Sequence, residues 1–256
     1  MKDFTIKNKN IIKNTINKIM VLLFWILIWQ LLYCFVNKEV LIPSPMAVFK
    51  TFFLLLSEYQ FWTIVFSSAI RIILGFLCAL IFGVVIAALT YRFRIINDIL
   101  SPILNIIKTT PVASFIILAL VWVPSGMIPN FISFLMVLPL VWVNIKNGFE
   151  NIDRELLEMA NVFKVPKKKQ FTKIIIPSIM PYFAASCNVG MGFAWKSGIA
   201  AEVIANTRLS IGSMIYQSKI YLETSTLFAW TIVVILLSLV LETVIRKIMN
   251  RFLIKI

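Results

Sequence analysis

Arg71, Lys196 and Glu202 are charged side chains in or directly after apolar stretches of this 256-residue sequence, where their chemistry is most informative. Arg71 lies near the start of one stretch, Lys196 lies in another, and Glu202 follows Lys196. A cation at the centre of a membrane helix costs roughly 2.5–3.5 kcal/mol on insertion scales, so it usually faces a cavity or a partner. The three residues are therefore candidates for lining a pathway that suits a polar or anionic solute. Snorkelling or structural pairing near a membrane interface is the alternative.

The composition gives little support to catalysis. The sequence contains no histidine, which excludes His-based acid–base catalysis and His-ligated metals. Cys34, Cys78 and Cys187 are far apart in apolar stretches, so neither a zinc cluster nor a disulfide framework is predicted. The phosphate-binding pattern G-x-x-x-x-G-K-[ST] does not occur, and neither does G-x-G-x-x-G or G-x-S-x-G. We therefore expect no ATP hydrolysis by this chain itself, and no metal or cofactor.

Small side chains recur at every fourth position in two of the apolar stretches. The positions are Gly75, Ala79, Gly83 and Ala87 in the first stretch, and Ser186, Gly190, Ala194 and Gly198 in the second. Lipid offers helices no hydrophobic drive to associate, so close approach through small residues matters in a membrane. The four glycines are predicted to pack helices together within one subunit, which is compatible with a pathway between the same helices.

A short amphipathic helix is predicted between Asn151 and Pro181. Asn151 or Asp153 can cap a helix that begins near Arg154, and Val165-Pro166 ends it. Apolar side chains recur at helical spacing within it: Leu156, Met159, Ala160 and Phe163. About ten residues cannot cross a bilayer. The helix is shaped either to dock in a groove of a partner protein or to lie on anionic lipid.

The composition predicts the class of structure that positions these residues. The chain is 60% hydrophobic and 14% charged, with mean hydropathy +0.93, whereas a soluble domain is roughly 45–50% apolar and about 25% charged. An all-α membrane protein is therefore predicted. A membrane helix needs about 20 mostly apolar residues, and about six stretches qualify: residues 20–36, 68–90, 103–123, 128–143, 181–198 and 227–244.

The chain has a net charge of +14, and the positions of its positive charges predict how the spans are oriented. Lysine and arginine concentrate before the first span, after the second, between the fourth and fifth, and after the last. The positive-inside rule then places both termini in the cytoplasm and makes a nucleic-acid partner unnecessary. Residues 1–19 are predicted to be a basic cytoplasmic segment, and residues 20–256 the membrane domain. Residues 20–36 lack a small-residue cleavage site, which indicates a retained span rather than a signal peptide.

Prolines predict four local features of the chain. Ser44 can cap an interfacial helix with Pro45 at its first position. Pro124-Ser125-Gly126-Met127 is a turn that makes the third and fourth spans a hairpin. Pro111 and Pro139 are expected to kink those two spans.

The segment from Asn151 to Pro181 resembles the EAA loop of ABC importer permeases. The pattern of that loop is E-A-A, three residues, G, nine residues and I-x-L-P. At the same spacing, this sequence has Glu158-Met159-Ala160, then Lys164, then Ile174-Ile175-Ile176-Pro177. Met159 replaces an alanine and Lys164 replaces the glycine of the tight turn, which Pro166 could relocate.

Further motifs extend the resemblance over nearly the whole chain, to the nitrate/sulfonate/taurine branch of these permeases. They are Leu41 to Pro45, Ser68 to Arg71 with Gly75, Pro111 with Ala113, Ser178 to Pro181, and Gly192 to Trp195 through Ala201-Glu202. The resemblance implies a fold like that of type I ABC importers, two permease subunits, two separate ATPases and an extracytoplasmic solute-binding protein in a cell membrane. It also implies that the loop, about residues 151–177, contacts the ATPase. The contacting residues would be Leu156, Glu158, Met159, Ala160, Phe163, Lys164 and Pro177.

The leading hypothesis is the membrane-spanning permease subunit of an ATP-driven importer, which passes a small polar or anionic solute by alternating access. Sulfonates, nitrate and pyrimidine vitamin precursors all stay open as solutes. A lipid-modifying membrane enzyme is one alternative, but the acidic residues are too scattered to form an obvious catalytic pair. A self-sufficient secondary transporter or channel is the other. Such carriers commonly have inverted repeats and coupling-ion ligands, whereas this sequence has no clear repeat and almost no acids within its spans.

Overall fold

Long apolar helices make up most of the structure. The computed structural model describes the backbone of residues 2–254 and the side chains of residue 17 and residues 19–253. Nearly all side chains of the predicted basic segment 1–19 therefore lie outside the described residues. In the described part of the chain the secondary structure is helical throughout. The helices are α1 (Lys2–Val36), α2 (Pro45–Leu56), α3 (Tyr59–Arg92), α4 (Arg94–Thr109), α5 (Val112–Ala119), α6 (Ile128–Glu150), α7 (Arg154–Val162), α8 (Lys167–Gln170), a π-helical turn (Phe171–Ile175), α9 (Ile176–Ala205), α10 (Ile211–Ile220) and α11 (Thr224–Ile254).

The number of membrane helices agrees with the prediction of about six. Within the described residues, five helices are long and apolar enough to cross a membrane, and α4 with α5 would make a sixth. The protein is therefore an all-α membrane protein.

The prediction that residues 103–123 form a single kinked helix is wrong. The chain bends by 105° between α4 and α5, at Thr110 and Pro111. Thr110 is extended, with ψ 137°, because a following proline disfavours helical backbone, and Pro111 has no N–H to continue the ladder. Pro139, by contrast, lies inside α6, which continues to Glu150. The two prolines therefore have different effects on their helices.

One compact unit contains Met1–Phe61 and Ile215–Ile232. Ser44 caps α2 as predicted: its hydroxyl accepts a hydrogen bond from the Ala47 N–H at 3.2 Å, and Pro45 follows at the first helical position. The Trp29 indole donates to the Pro43 carbonyl at 3.1 Å and its ring stacks on Phe228 with centroids 5.8 Å apart. These contacts fix the loop between α1 and α2.

The second unit contains Trp62–Met214 and Val233–Ile256, and its core is the pair α6 and α9. The Ser133 hydroxyl on α6 donates to the Ala194 carbonyl on α9 at 3.0 Å. The Trp142 indole on α6 donates to the Thr90 hydroxyl on α3 at 2.9 Å. The Trp195 indole on α9 donates to the Val234 carbonyl on α11 at 3.0 Å. Each of these three side chains thus finds a hydrogen-bond partner on another helix, which a water-free core favours.

Candidate functional site

Helix α7 begins where the sequence predicts, and Asp153 rather than Asn151 is its cap. The Asp153 carboxylate accepts hydrogen bonds from the N–H groups of Glu155 at 2.9 Å and Leu156 at 3.4 Å. These groups have no partner within a helix, so the cap satisfies them. Asp153 fixes the start of α7 and thereby which side chains share each face.

The apolar face of α7 is only partly the predicted one. Leu156 and Met159 are exposed, and Phe163, which follows the helix, is 75% exposed. Ala160 is only 3% exposed and therefore packs against the rest of the chain. Val162, which the pattern did not single out, is 78% exposed. The exposed apolar surface therefore consists of Leu156, Met159, Val162 and Phe163, and below it is called the α7 surface.

The turn after α7 forms at Lys164, and Pro166 does not relocate it. Lys164 has a positive φ of 52°, the left-handed region that favours glycine. Its N–H donates to the Asn161 carbonyl at 3.0 Å, and the Val165 N–H donates to the Ala160 carbonyl at 2.8 Å. A lysine can therefore occupy the glycine position, at a cost of about 1–2 kcal/mol.

A buried glutamine holds this turn in place. The Gln170 amide donates to the Asn161 side chain at 3.0 Å and to the Val165 carbonyl at 2.9 Å, and Gln170 itself is buried. Glu158 lies exposed on α7, and Pro177 lies half-buried at the start of α9. The chain thus passes from α7 through a braced turn, α8 and the π-helical turn directly into α9.

A cavity of about 570 Å³ lies among α4, α5, α6 and α9. Lys196 on α9 lines it, as does Lys108 on α4. The apolar part of its wall includes Met136, Leu140 and Phe193. The bend at Thr110 and Pro111 allows α4 and α5 to line the same space. Lys108 was missed from the sequence, although it lies inside the predicted span 103–123 and the insertion-cost argument applies to it equally.

Arg71 and Glu202 are not among the residues that line this cavity. Glu202 is fully buried, and its Oε2 accepts hydrogen bonds from the Ser68 hydroxyl at 2.9 Å and the Gly212 N–H at 3.1 Å. Arg71 approaches the other carboxylate oxygen of Glu202 at 3.8 Å. The structure therefore brings Arg71 and Glu202 together and places Lys196 elsewhere.

The same cluster fixes the segment that follows α9. Arg71 donates to the carbonyl oxygens of Arg208 and Leu209, both at 3.2 Å. The Ile211 N–H donates to the Ser68 hydroxyl at 2.9 Å. A Cβ on Gly212 would collide with the Cβ of Glu202, so only glycine allows this approach. Together these contacts hold residues 208–212 against α3.

The four predicted packing glycines lie where α3, α6 and α9 meet. A Cβ on Gly198 would come within 2.5 Å of the Ile72 side chain, and one on Gly83 within 2.7 Å of Val141. On Gly75 a Cβ would overlap the Asn130 carbonyl. Gly190 is less crowded, because the nearest atom would be Val137 Cγ1 at 3.1 Å. The lack of a side chain therefore sets the distances between these helices.

Within the described residues, no group of three or more His, Cys, Asp or Glu side chains could hold a metal ion. The described geometry offers two features that could bind a partner or a solute: the exposed apolar α7 surface and a cavity lined by two lysines.

Comparison with known proteins gives a family match over most of the chain. The family described as "Binding-protein-dependent transport system inner membrane component" matches residues 79–254. The nitrate import permease protein NrtB of Synechocystis is 25% identical over 206 residues, which cover 75% of this chain and 73% of that protein. SsuC of Bacillus subtilis, provisionally named an aliphatic sulfonates transport permease, is 24% identical over 231 residues. Those residues cover 89% of this chain and 83% of SsuC.

A solved structure shares the fold. The crystal structure of an amino acid ABC transporter with histidines aligns with a TM-score of 0.59 over 77% of this chain and 94% of that chain. The identity between the two sequences is 17%, so this likeness shows the arrangement of helices and nothing more.

Proposed function

This chain belongs to the family of binding-protein-dependent transport system inner membrane components, and from that premise we propose that it couples a separate ATPase to the import of an anion. The α7 surface would be the contact with the ATPase, and the cavity beside α9 would be part of the solute pathway. A solute-binding protein outside the membrane would deliver the solute, and a second copy of the chain would complete the pathway.

The exposed α7 surface is the observation that carries this proposal. Three exposed apolar side chains on a helix of nine residues form this surface together with Phe163, which directly follows the helix. The helix is too short to cross a bilayer. Burying an apolar side chain of this size completely contributes about 1.5–3 kcal/mol. A groove on a partner subunit would supply that burial in the way that amphipathic helices are usually recognised.

The connection from α7 to α9 supports a lever mechanism. Ala160 and Gln170 anchor the base of α7, so that a force on the α7 surface is passed to the chain that enters α9. Helix α9 has 30 residues and is therefore about 45 Å long, and it carries Lys196 into the cavity. Closure of the ATPases on ATP would then rock the helices and open the pathway outward. This requires that the ATPase binds α7 differently in the two states.

The charge of the cavity supports an anionic solute. Lys108 and Lys196 both line it, and cations beside a pathway favour anions. The named solutes of the two relatives, nitrate and aliphatic sulfonates, are both anions. A lipid-modifying enzyme or a self-sufficient carrier would use neither an exposed α7 surface nor a separate ATPase.

Co-purification with the cognate ATPase tests this proposal. The triple variant Leu156→Glu, Met159→Glu, Phe163→Glu should insert in the membrane at wild-type levels but lose the ATPase, because three carboxylates cannot enter an apolar groove. The matched control is Leu156→Ile, Met159→Leu, Phe163→Leu, which keeps the surface apolar and should retain the ATPase. An ATPase that stays bound to the triple-Glu variant, or import by the chain alone in vesicles, would overturn the proposal.

A further inference from the structure

We propose that the cavity among α4, α5, α6 and α9 selects an organic anion with an apolar body over a bare inorganic oxyanion. The proposal rests on the proposed function, in that this cavity would lie on the solute pathway. Compared with the proposed function, it assigns anion binding to a second residue, Lys108. It also specifies the chemical class of the solute, which the charges alone do not determine.

The two lysines are available to bind an anion. Both are exposed, and in the described structure neither the Lys108 nor the Lys196 side chain has an ion pair or a hydrogen-bond partner. Lipid tails or an apolar helix over the cavity would exclude water and leave both ammonium groups without compensation, which is costly. A second copy packed symmetrically over this face would bring its own Lys108 and Lys196 and so add further positive charge. An anion that enters the cavity compensates both.

The other polar groups of the cavity offer the anion little. The Thr110 hydroxyl already donates to the Ile106 carbonyl at 2.8 Å, and the Ser197 hydroxyl donates to the Phe193 carbonyl at 2.8 Å. Their oxygens can still accept hydrogen bonds, but an anion needs donors. Asn144, which is half-buried and lines the cavity, has an amide group that can donate. The cavity therefore has three donor side chains: Lys108, Lys196 and Asn144.

The size and the apolar wall decide between the classes of anion. A volume of about 570 Å³ lies within the roughly 300–1,000 Å³ typical of sites for organic ligands. Met136, Leu140, Val143 and Phe193 form much of its wall. Nitrate or sulfate would lose water against this wall and regain few hydrogen bonds there, which is unfavourable. An organic anion would place its charged end at the lysines and its apolar body against the remaining wall, which gains hydrophobic energy.

Binding of alkanesulfonates tests this inference, because these ions stay charged and cannot cross the bilayer as neutral acids. The permease–ATPase complex, in nanodiscs without any binding protein, would be titrated with labelled 1-hexanesulfonate. Unlabelled ethane-, butane- and hexanesulfonate, nitrate and sulfate would compete. We expect affinity to rise with chain length, and nitrate and sulfate to compete at least tenfold less well than hexanesulfonate.

Variants assign the binding to this cavity. Lys108→Met and Lys196→Met should each lower hexanesulfonate affinity at least tenfold, whereas the exposed Lys219→Met should have no effect. Ala200→Leu, which narrows the cavity, should reduce binding of hexanesulfonate more than of ethanesulfonate. The matched control Ala185→Leu, at an exposed position on the same helix, should change neither.

Three outcomes would overturn the inference. The first is nitrate binding as tightly as hexanesulfonate, and the second is unchanged binding in both lysine variants. The third is absence of hexanesulfonate binding; a disulfide between copies through Phe193→Cys would then show that a second copy fills the cavity. Failure of the permease to form a complex with the ATPase would count against the proposed function. The inference could still be tested in that case, because the permease alone can be titrated in the same way.

Discussion

Lys164 shows that a lysine can adopt a backbone conformation that favours glycine. In the loop pattern that this segment resembles, glycine stands at this position, and here Lys164 has a left-handed backbone with φ 52°. The backbone bonds of Lys164 and Val165 and the side-chain bonds of Gln170 determine the conformation. Surrounding contacts of this kind are what allow a strained residue to persist.

Replacing Lys164 by glycine should therefore stabilise this turn. Glycine removes the steric cost but adds chain entropy to the unfolded state, which leaves a net gain of about 0.5–1 kcal/mol. Hydrogen exchange of the Val165 amide should slow roughly two- to fivefold. Lys164→Val is the control, because a branched Cβ is more strained there, and it should accelerate the exchange. Faster exchange in Lys164→Gly would contradict this account.

Arg71 and Glu202 show that charged residues of similar appearance in a sequence can have different surroundings. The carboxylate of Glu202 accepts hydrogen bonds from a hydroxyl and a backbone N–H and lies near a guanidinium. Such a cluster meets the cost of burying a charge only because several partners share it. Its contacts hold residues 208–212 against α3, which favours the structural interpretation of these two residues over a pathway.

At the scale of helices, small side chains decide how α3, α6 and α9 pack. Dispersion contacts between close backbones replace the hydrophobic drive that lipid removes. The space around each glycine differs. These differences predict how strongly each glycine resists substitution, which the spacing along the sequence does not.

Substitution of the glycines by alanine should therefore have graded effects. Gly198→Ala should destabilise the protein by about 1–3 kcal/mol, because its Cβ would meet Ile72 at 2.5 Å. Gly190→Ala should cost less, since its nearest contact is 3.1 Å and the methyl group of Val137 can shift. Gly126→Ala is the control, as no atom lies within 4 Å of its Cβ. Thermal unfolding in nanodiscs would measure the order, and equal values for all three would refute this packing.

At the scale of the whole molecule, the alternation of basic loops predicts how the chain crosses the membrane. The loop that contains α7 and the three lysines of α8 is expected in the cytoplasm, and the segment around Arg208 is expected outside. This orientation is required if α7 is to meet an ATPase.

Labelling of single cysteines in intact cells tests this orientation. In a chain whose native cysteines are replaced by serine, Arg208→Cys should react with an impermeant maleimide added outside. Lys169→Cys should react only after the membrane is opened, because the reagent cannot cross the bilayer. Both positions are exposed, so burial does not protect either one. Labelling of Lys169→Cys from outside would invert the topology and remove the basis for ATPase coupling.

Local features of this protein could be read from its sequence alone. Hydropathy over about 20 residues fixes where helices can cross a bilayer, and the caps Ser44 and Asp153 act on N–H groups two or three residues away. The loop motif with Glu158 and Pro177 could be compared with the family pattern from the sequence because it too is a matter of local spacing. In each case the cause and the effect lie close together in the chain.

Only the tertiary structure decided which faces meet. The same helical spacing permits Ala160 to point outward or inward, and packing turned it inward and left Val162 exposed. The bend at Pro111 let Lys108 and Lys196 line the same cavity, and the fold placed Arg71 beside Glu202. Periodicity tells which residues share a side of a helix, but the neighbour on that side comes from distant sequence and depends on how all the helices pack at once.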